Sequence, residues 1–209
     1  KKGAQPLSSS GIFIDDSPAL NVYELRSKAR YTIKKYGGVD TEWLIIIDYL
    51  QLMSGVEERK INNREQEISN ISRNLKKLAK DLELPIIALS QLSRNVEQRR
   101  GEKQVPVLSD LRDSGAIEQD ADTVMFLYRP EYYDITATEQ GESTHGLTEI
   151  SIAKHRHGSL AKGSDAIQLR ALLHIQKFIP WEGNINTPVE NNQNWRPVTS
   201  SDNKDLTFD

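Results

Sequence analysis

The stretch Trp43 to Met53, WLIIIDYLQLM, constrains this chain more than any other part of it. Four consecutive aliphatic residues, Leu44 to Ile47, end abruptly in Asp48. A run that is apolar on both faces and rich in isoleucine fits a central parallel strand covered by helices on either side. An acid at its carboxyl end lies where open α/β sheets bind their ligands. The stretch alone fits either a ligand-facing acid or a surface acid that merely ends a buried strand.

The flanking pattern extends this into an α/β fold. Ile12 to Ile14 is expected to form a short strand ending at Asp15 and Asp16, followed by a turn at Ser17-Pro18. Asn21 with Glu24 three residues later has the form of a capping box. Val22, Leu25, Ala29 and Ile33 repeat at helical spacing as far as Lys35, and Gly37-Gly38 stops the helix. With the strand before Asp48 this makes a β-α-β unit, for which a right-handed crossover is expected. Ser54 to Asn63 is polar and aperiodic, an exposed loop. Ile68, Ile71, Leu75, Leu78 and Leu82 then mark a helix over Arg64 to Leu82, with the stripe Ile68, Ile71, Leu75 and Leu78 as core. Pro85 ends it, and Ile86 to Gln91 forms a second buried strand whose polar end shares the sheet edge of Asp48.

Arg94 to Pro106 is a basic connection, Ser109 to Gly115 a loop, Ala116 to Asp120 one helical turn, and Thr123 to Tyr128 a further buried strand. Glu131 to Gly146 is a polar excursion, expected to be partly disordered. Leu147 to Ala153 alternates as an outer strand does, Lys154 to Gly158 forms a basic tip, and Ala166 to Leu173 is the returning strand. Residues 1–11 fit a linker start, residues 12–179 the folded part, and residues 180–209 a polar tail. No internal repeat is evident.

Composition excludes several classes. The net charge of −3 gives no global attraction to nucleic acid, so any such site must be a local patch. With no cysteine, neither a disulfide framework nor a thiolate metal site is possible. The four histidines include no His-Glu-x-x-His pair. No apolar run approaches the roughly 20 residues that span a bilayer, so no membrane association is expected and a cytoplasmic protein is the default. No Gly-x-x-x-x-Gly-Lys-Ser/Thr phosphate loop occurs. The chain also starts without Met in a polar stretch that leads into the first expected strand, as a fragment cut inside a domain would.

Taken together, LIIIDYLQLMSG, the helix ending in LAKDLELP, IIALSQLSRNVEQR, LSDLRDSGAIEQDADTVMFLYRPEYY and IAKHRHG resemble the C-terminal motor domain of bacterial replicative helicases of the DnaB family. The similarity runs from about Ile12 to about Phe178. It implies a RecA-like P-loop ATPase fold: a central, mostly parallel sheet flanked by helices, with a C-terminal β-hairpin. The expected function is ATP-dependent helicase activity with Mg²⁺, moving 5′ to 3′ on single-stranded DNA. Other copies of the chain in a homohexameric ring, a primase and a helicase loader are the further partners it implies. The family's phosphate loop and catalytic glutamate precede the strand at Ile12, so these residues alone are expected to be inactive.

Individual roles follow from the resemblance. Asp48 matches the Mg²⁺-side aspartate and Gln91 the polar sensor of the γ-phosphate. Lys154 and Arg156 stand where the family places a lysine and an arginine finger that reach the neighbour's ATP. Two apart on one strand end, they point the same way. Here His155 and His157 replace the customary Gln and Asn, and Ser159 the usual Pro. Arg112, Asp113 and Gly115 match a loop that touches the DNA backbone. Arg73, Arg94, Arg99 and Arg100 are candidates for the channel's positive lining, and Tyr128 and Arg129 for packing near the nucleotide base. Glu57, Glu58 and Glu65 are expected to be solvated and not to form a metal site. The competing expectations are a recombination or repair ATPase of the same fold, disfavoured by DLRDSG and AKHRHG, and a non-catalytic RecA-like module that assembles or binds a partner.

Overall fold

The Asn21 side chain accepts the backbone N–H groups of Tyr23 and Glu24 at 3.0 Å, and the Asn21 N–H donates back to the Glu24 carboxylate at 3.2 Å. This reciprocal cap satisfies three donors at the start of α1, Val22–Tyr36. The helix ends where the Gly37 N–H reaches the Ile33 carbonyl at 2.8 Å. A Cβ on Gly37 would sit 2.4 Å from that same oxygen, which is why glycine stands there. The chain is described by a computed structural model that covers residues 10–38, 41–55, 64–99, 104–138 and 141–182, with backbone alone at 112–115.

The central unit is β1 (Ile45–Ile47), α2 (Arg64–Leu82) and β2 (Ile86–Ala88). The two strands pair in parallel, Ile45 with Ile86 and Ile47 with Ala88. The expected apolar stripe of α2 is the core: Ile68, Ile71, Leu75 and Leu78 are each at most 5% exposed. They pack with Val22 of α1 and with Leu50 and Met53 of the turn after β1, and Ile47 and Ile86 close the cluster from the sheet. A second cluster joins Leu111, Val124, Phe126 and Ala153. Ile117, on the short helix α3 (Gly115–Asp120), packs against both clusters.

After α3, the strands β3 (Thr123–Tyr128), β4 (Leu147–His155), β5 (Ile167–Leu172) and β6 (Lys177–Pro180) form an antiparallel sheet in that order. The expected hairpin of two strands is thus part of a four-stranded meander, separate in its hydrogen bonding from the parallel pair. Residues 131–138 and 141–146 of the polar excursion are more ordered than their polarity suggests. Glu131 accepts the Gly146 N–H at 3.1 Å and meets the His145 ring at 2.6 Å, while Ala137 bridges Ser143.

Three expectations change. Ile12–Ile14 joins no strand, and the β-α-β unit expected around α1 is therefore absent. Phe13 instead packs its ring on Tyr36 at 4.7 Å and Trp43 at 5.8 Å, so aromatic contact fixes this segment in place of a ladder. The strand before Asp48 is not covered on both faces: Ile46 is 62% exposed and Ile87 41%, because α2 covers only the other side. β3 alternates between buried and exposed, with Met125 and Leu127 open to solvent. Of the loop expected over 54–63, the linker start over 1–11 and the tail over 180–209, residues 56–63, 1–9 and 183–209 lie outside the described residues, as do Glu57, Glu58 and Arg100, while Pro180 closes β6.

The uneven covering of the sheet makes a direct test. Ile71→Ala should cost about 3 kcal/mol in urea unfolding of the chain, the size expected of a truncation that leaves a cavity. Ile46→Ala, on the open face, should stay within about 0.5 kcal/mol.

Candidate functional site

Parallel strands deliver their carboxyl ends to one edge, and here that edge carries the residues singled out from sequence. Asp48 follows β1 directly and is exposed, with no hydrogen bond or ion pair to its carboxylate among the described residues. The peptide bond from Asp48 to Tyr49 is cis. The pairing continues past the strands, with the Leu89 N–H on the Ile47 carbonyl at 2.9 Å and the Leu50 N–H on the Leu89 carbonyl at 2.8 Å. Tyr49, Leu89, Ser90 and Gln91 line an open cleft of about 380 Å³ at this edge. Gln91 is exposed on its rim.

Sequence reasoning missed Gln51. Its amide Nε2 donates to Ser90 Oγ at 3.0 Å and to the Gln91 carbonyl at 3.3 Å, while its Oε1 accepts the Gln91 N–H at 3.3 Å. One amide thus uses both its donor and acceptor ends to tie the segment after β1 to the segment after β2. A polar residue three positions past Asp48, between Leu50 and Leu52, was the available signal.

The basic pair sits elsewhere, at the far end of β4. Lys154 pairs with Val124 and Glu149 with Tyr128 in the register of β3 with β4. Tyr128 and Arg129 are therefore at the opposite end of β3 from Lys154. Lys154 Nζ donates to the Glu118 carbonyl and, at 3.3 Å, to the Gln119 carbonyl. Arg156 donates from Nη2 to the Gln119 carbonyl at 3.2 Å and from Nη1 to the Asp122 carboxylate at 3.1 Å. Its backbone N–H also reaches the Asp122 carbonyl at 2.8 Å. Asp122 binds Lys76 of α2 as well, and that hydrogen bond is the main cause holding the carboxyl below its ordinary range. The tip itself is closed by paired bonds between Ile152 and Ala161, and the His155 ring rests against Gly158.

Several candidates take other positions. Tyr128 is 6% exposed and stacked on Tyr133 at 5.6 Å, so its ring has no open face for a base, and Arg129 turns to Glu131 at 3.8 Å. Burial raises the Tyr128 phenol above its ordinary pKa. Arg99 binds the buried Asp110, whose other oxygen accepts the Val107 N–H at 2.8 Å; the arginine braces a loop and stays partly exposed. Arg94 is exposed in a 3-10 turn capped by Ser93. Arg73 and Glu65 line a polar groove on α2. The backbone of Arg112 and Asp113 lies in a 3-10 segment, Leu108–Ser114, that runs straight into α3 at Gly115. Among the described residues no three metal-ligating side chains cluster, and no helix is long and apolar enough to cross a membrane.

The arrangement of a β-α-β core, a cleft at the carboxyl ends of its strands and an antiparallel extension with a basic end is that of RecA-like helicase ATPase domains. Comparison bears this out: a solved ATPase domain superposes with a TM-score of 0.74 at 39% identity, over 87% of this chain and 58% of that one. A DnaB-like replicative helicase, solved in a study of its interactions with primase, gives 0.75 at 39% identity over 87% of this chain and 41% of its own. The family model for the DnaB-like helicase C-terminal domain matches residues 1–179, and the chain belongs to that family. The replicative DNA helicase DnaB of Geobacillus stearothermophilus and DnaC of Bacillus subtilis are each 46% identical over 176 residues, 84% of this chain. The chain spans 35% of the length of either.

The Asp122 carboxyl yields a pH test. A group with a lowered folded-state pKa stabilises fully above its unfolded value, and that contribution is lost as pH falls through the folded one. Removing the main cause should therefore flatten the acid limb. Lys76→Met is expected to lower stability at neutral pH and to make its fall below about pH 4 shallower, as urea midpoints measured across pH will report.

Proposed function

We propose that this chain is the later part of the motor domain of an ATP-driven replicative DNA helicase that moves 5′ to 3′ along single-stranded DNA as a homohexameric ring. The observation that carries this reading is the parallel pairing of β1 with β2, which brings Asp48, directly after β1, and Gln91, on the cleft rim after β2, to one edge of the sheet, in a chain whose relatives are replicative helicases. A primase and a helicase loader are the further partners in this reading.

The exposed Asp48 suits Mg²⁺, which binds through one or two carboxylates completed by waters and phosphate oxygens and needs no cage of several protein ligands. Bound with ATP, the metal would neutralise charge on the β- and γ-phosphates. Asp48 supplies the carboxylate that fixes its place. Gln91 can donate to a phosphate oxygen while accepting from the attacking water, since an amide carries both functions. Gln51 holds that backbone in position. Lys154 and Arg156 bond away from this cleft within the chain, which fits a role at a neighbouring subunit's nucleotide. Arginine's fixed charge and planar fork suit a γ-phosphate whose charge shifts in hydrolysis. The segment at Arg112, Asp113 and Gly115, together with Arg94, would meet the DNA backbone, where phosphate contacts carry no sequence information.

In the full-length protein, Asp48→Asn should lower ATP turnover about a hundredfold or more, the equivalent of some 3 kcal/mol of metal-borne stabilisation. The 209-residue chain, which has no phosphate loop, serves as the inactive control. Unchanged turnover in the variant would favour the non-catalytic module, and turnover by the chain alone would contradict the split of the motor. Arg112→Ala should weaken binding to single-stranded oligonucleotides of any sequence alike and reduce the salt slope by about 0.7.

A further inference from the structure

The helix α3 has six residues, yet both hydrophobic clusters and the basic pair at the end of β4 meet on it. Its amino end adjoins the Leu108–Ser114 segment, which is kinked at Leu111, so Arg112 to Ser114 lie on the α3 side of the kink. Ile117 in its middle packs into both hydrophobic clusters. At its carboxyl end the carbonyls of Glu118 and Gln119, which have no partner further along so short a helix, are taken by Lys154 and Arg156. Asp122, two residues beyond, completes the arrangement from both sides: its carboxylate holds the Arg156 guanidinium and Lys76, and its carbonyl holds the Arg156 N–H.

The balance of charge matters here. Lys154 is held by neutral carbonyls, and Arg156 shares one carboxylate with Lys76. Three cations therefore face one acid among these bonded groups. Arg156 remains 45% exposed and keeps charge to offer outward. A full partner for each cation would have neutralised the pair.

We propose that Asp122 is a positioning residue, which with the carboxyl-end carbonyls of α3 aims the Lys154–Arg156 pair and ties it to the segment that meets DNA. This rests on the proposed readings of Arg156 as a cation that serves a neighbouring subunit's nucleotide and of the segment at Arg112, Asp113 and Gly115 as the one that meets DNA. Movement of the segment proposed to meet DNA is then carried along α3 to the basic pair, with Lys76 fixing the junction to the core helix α2. The two cations are linked through the Gln119 carbonyl, which accepts from both.

Three variants of the full-length protein test it: Arg156→Ala, Asp122→Asn and Asp122→Glu, each assayed for ATP turnover with and without a thymidine oligonucleotide. Arg156→Ala should lose about a thousandfold in kcat, as removal of an arginine finger does. Asp122→Asn should lose about tenfold or more in kcat through misplacement of the pair, with KM for ATP nearly unchanged and the rise in turnover on adding the oligonucleotide lost. Asp122→Glu keeps the carboxylate and should restore both rate and response. If Arg156→Ala fails while Asp122→Asn matches the unmodified protein, the positioning role is overturned and the reading of Arg156 stands. If both Asp122 variants fail equally, with a matching loss of thermal stability, Asp122 is structural and the proposal falls. Unchanged turnover in Arg156→Ala would remove the underlying reading itself.

Discussion

The rest of the structure depends on one contact, the apolar stripe of α2 against a single face of the β1–β2 pair. Ile68, Ile71, Leu75 and Leu78 supply the volume, and Ile47 and Ile86 receive it from the sheet. Burial of this kind contributes on the order of 25 cal/mol per Å² of apolar surface, far more than any surface ion pair in the chain. Fixing α2 on the strands also fixes their parallel register, and the register sends Asp48 and Gln91 to the same edge. The cleft at that edge is thus a consequence of core packing, reached without any residue that needs to be there for the core.

A second level of organisation is polar, and it is arranged around segments that the core alone leaves loose. Gln51 closes the gap between the two strand ends, Asp110 with Arg99 braces the approach to Leu108–Ser114, and Asp122 joins α2 to the end of β4. Each uses a side chain with more than one acceptor or donor to serve two partners. Such networks hold geometry better than they add stability, since the net worth of a hydrogen bond is about 1 kcal/mol while an unmade buried one costs more. The places where they occur are the places where position matters to the proposed chemistry.

Much of this was legible in the sequence because it is local or periodic. The capping box at Asn21, the helix over Arg64–Leu82 and the strand beginning at Ile86 stand where spacing put them. What failed was long-range. Ile12–Ile14 has strand composition but no neighbour to pair with, and aromatic rings took it instead. An apolar run such as LIIID signals that both faces can be covered, not that both are; only the position of α2 decides it. Tyr128 ends a strand in sequence, but the stack with Tyr133 that buries it depends on how residues 130–133 fold back. The carbonyl partners of Lys154 and Arg156 lie some 35 positions away, where no side-chain motif announces them.

Backbone carbonyls are also the reason that the basic pair can remain useful. A lysine held by a carboxylate in water gains at most about 1 kcal/mol and has its charge offset. A lysine held by carbonyls is oriented and still carries its full charge toward whatever approaches. Arg156 has a carboxylate partner, but one that Lys76 draws on as well. With a net charge of −3 over these 209 residues, attraction of a polyphosphate cannot come from their summed charge and must be built locally. Holding cations by neutral oxygens and a shared acid builds it without adding a residue of either sign.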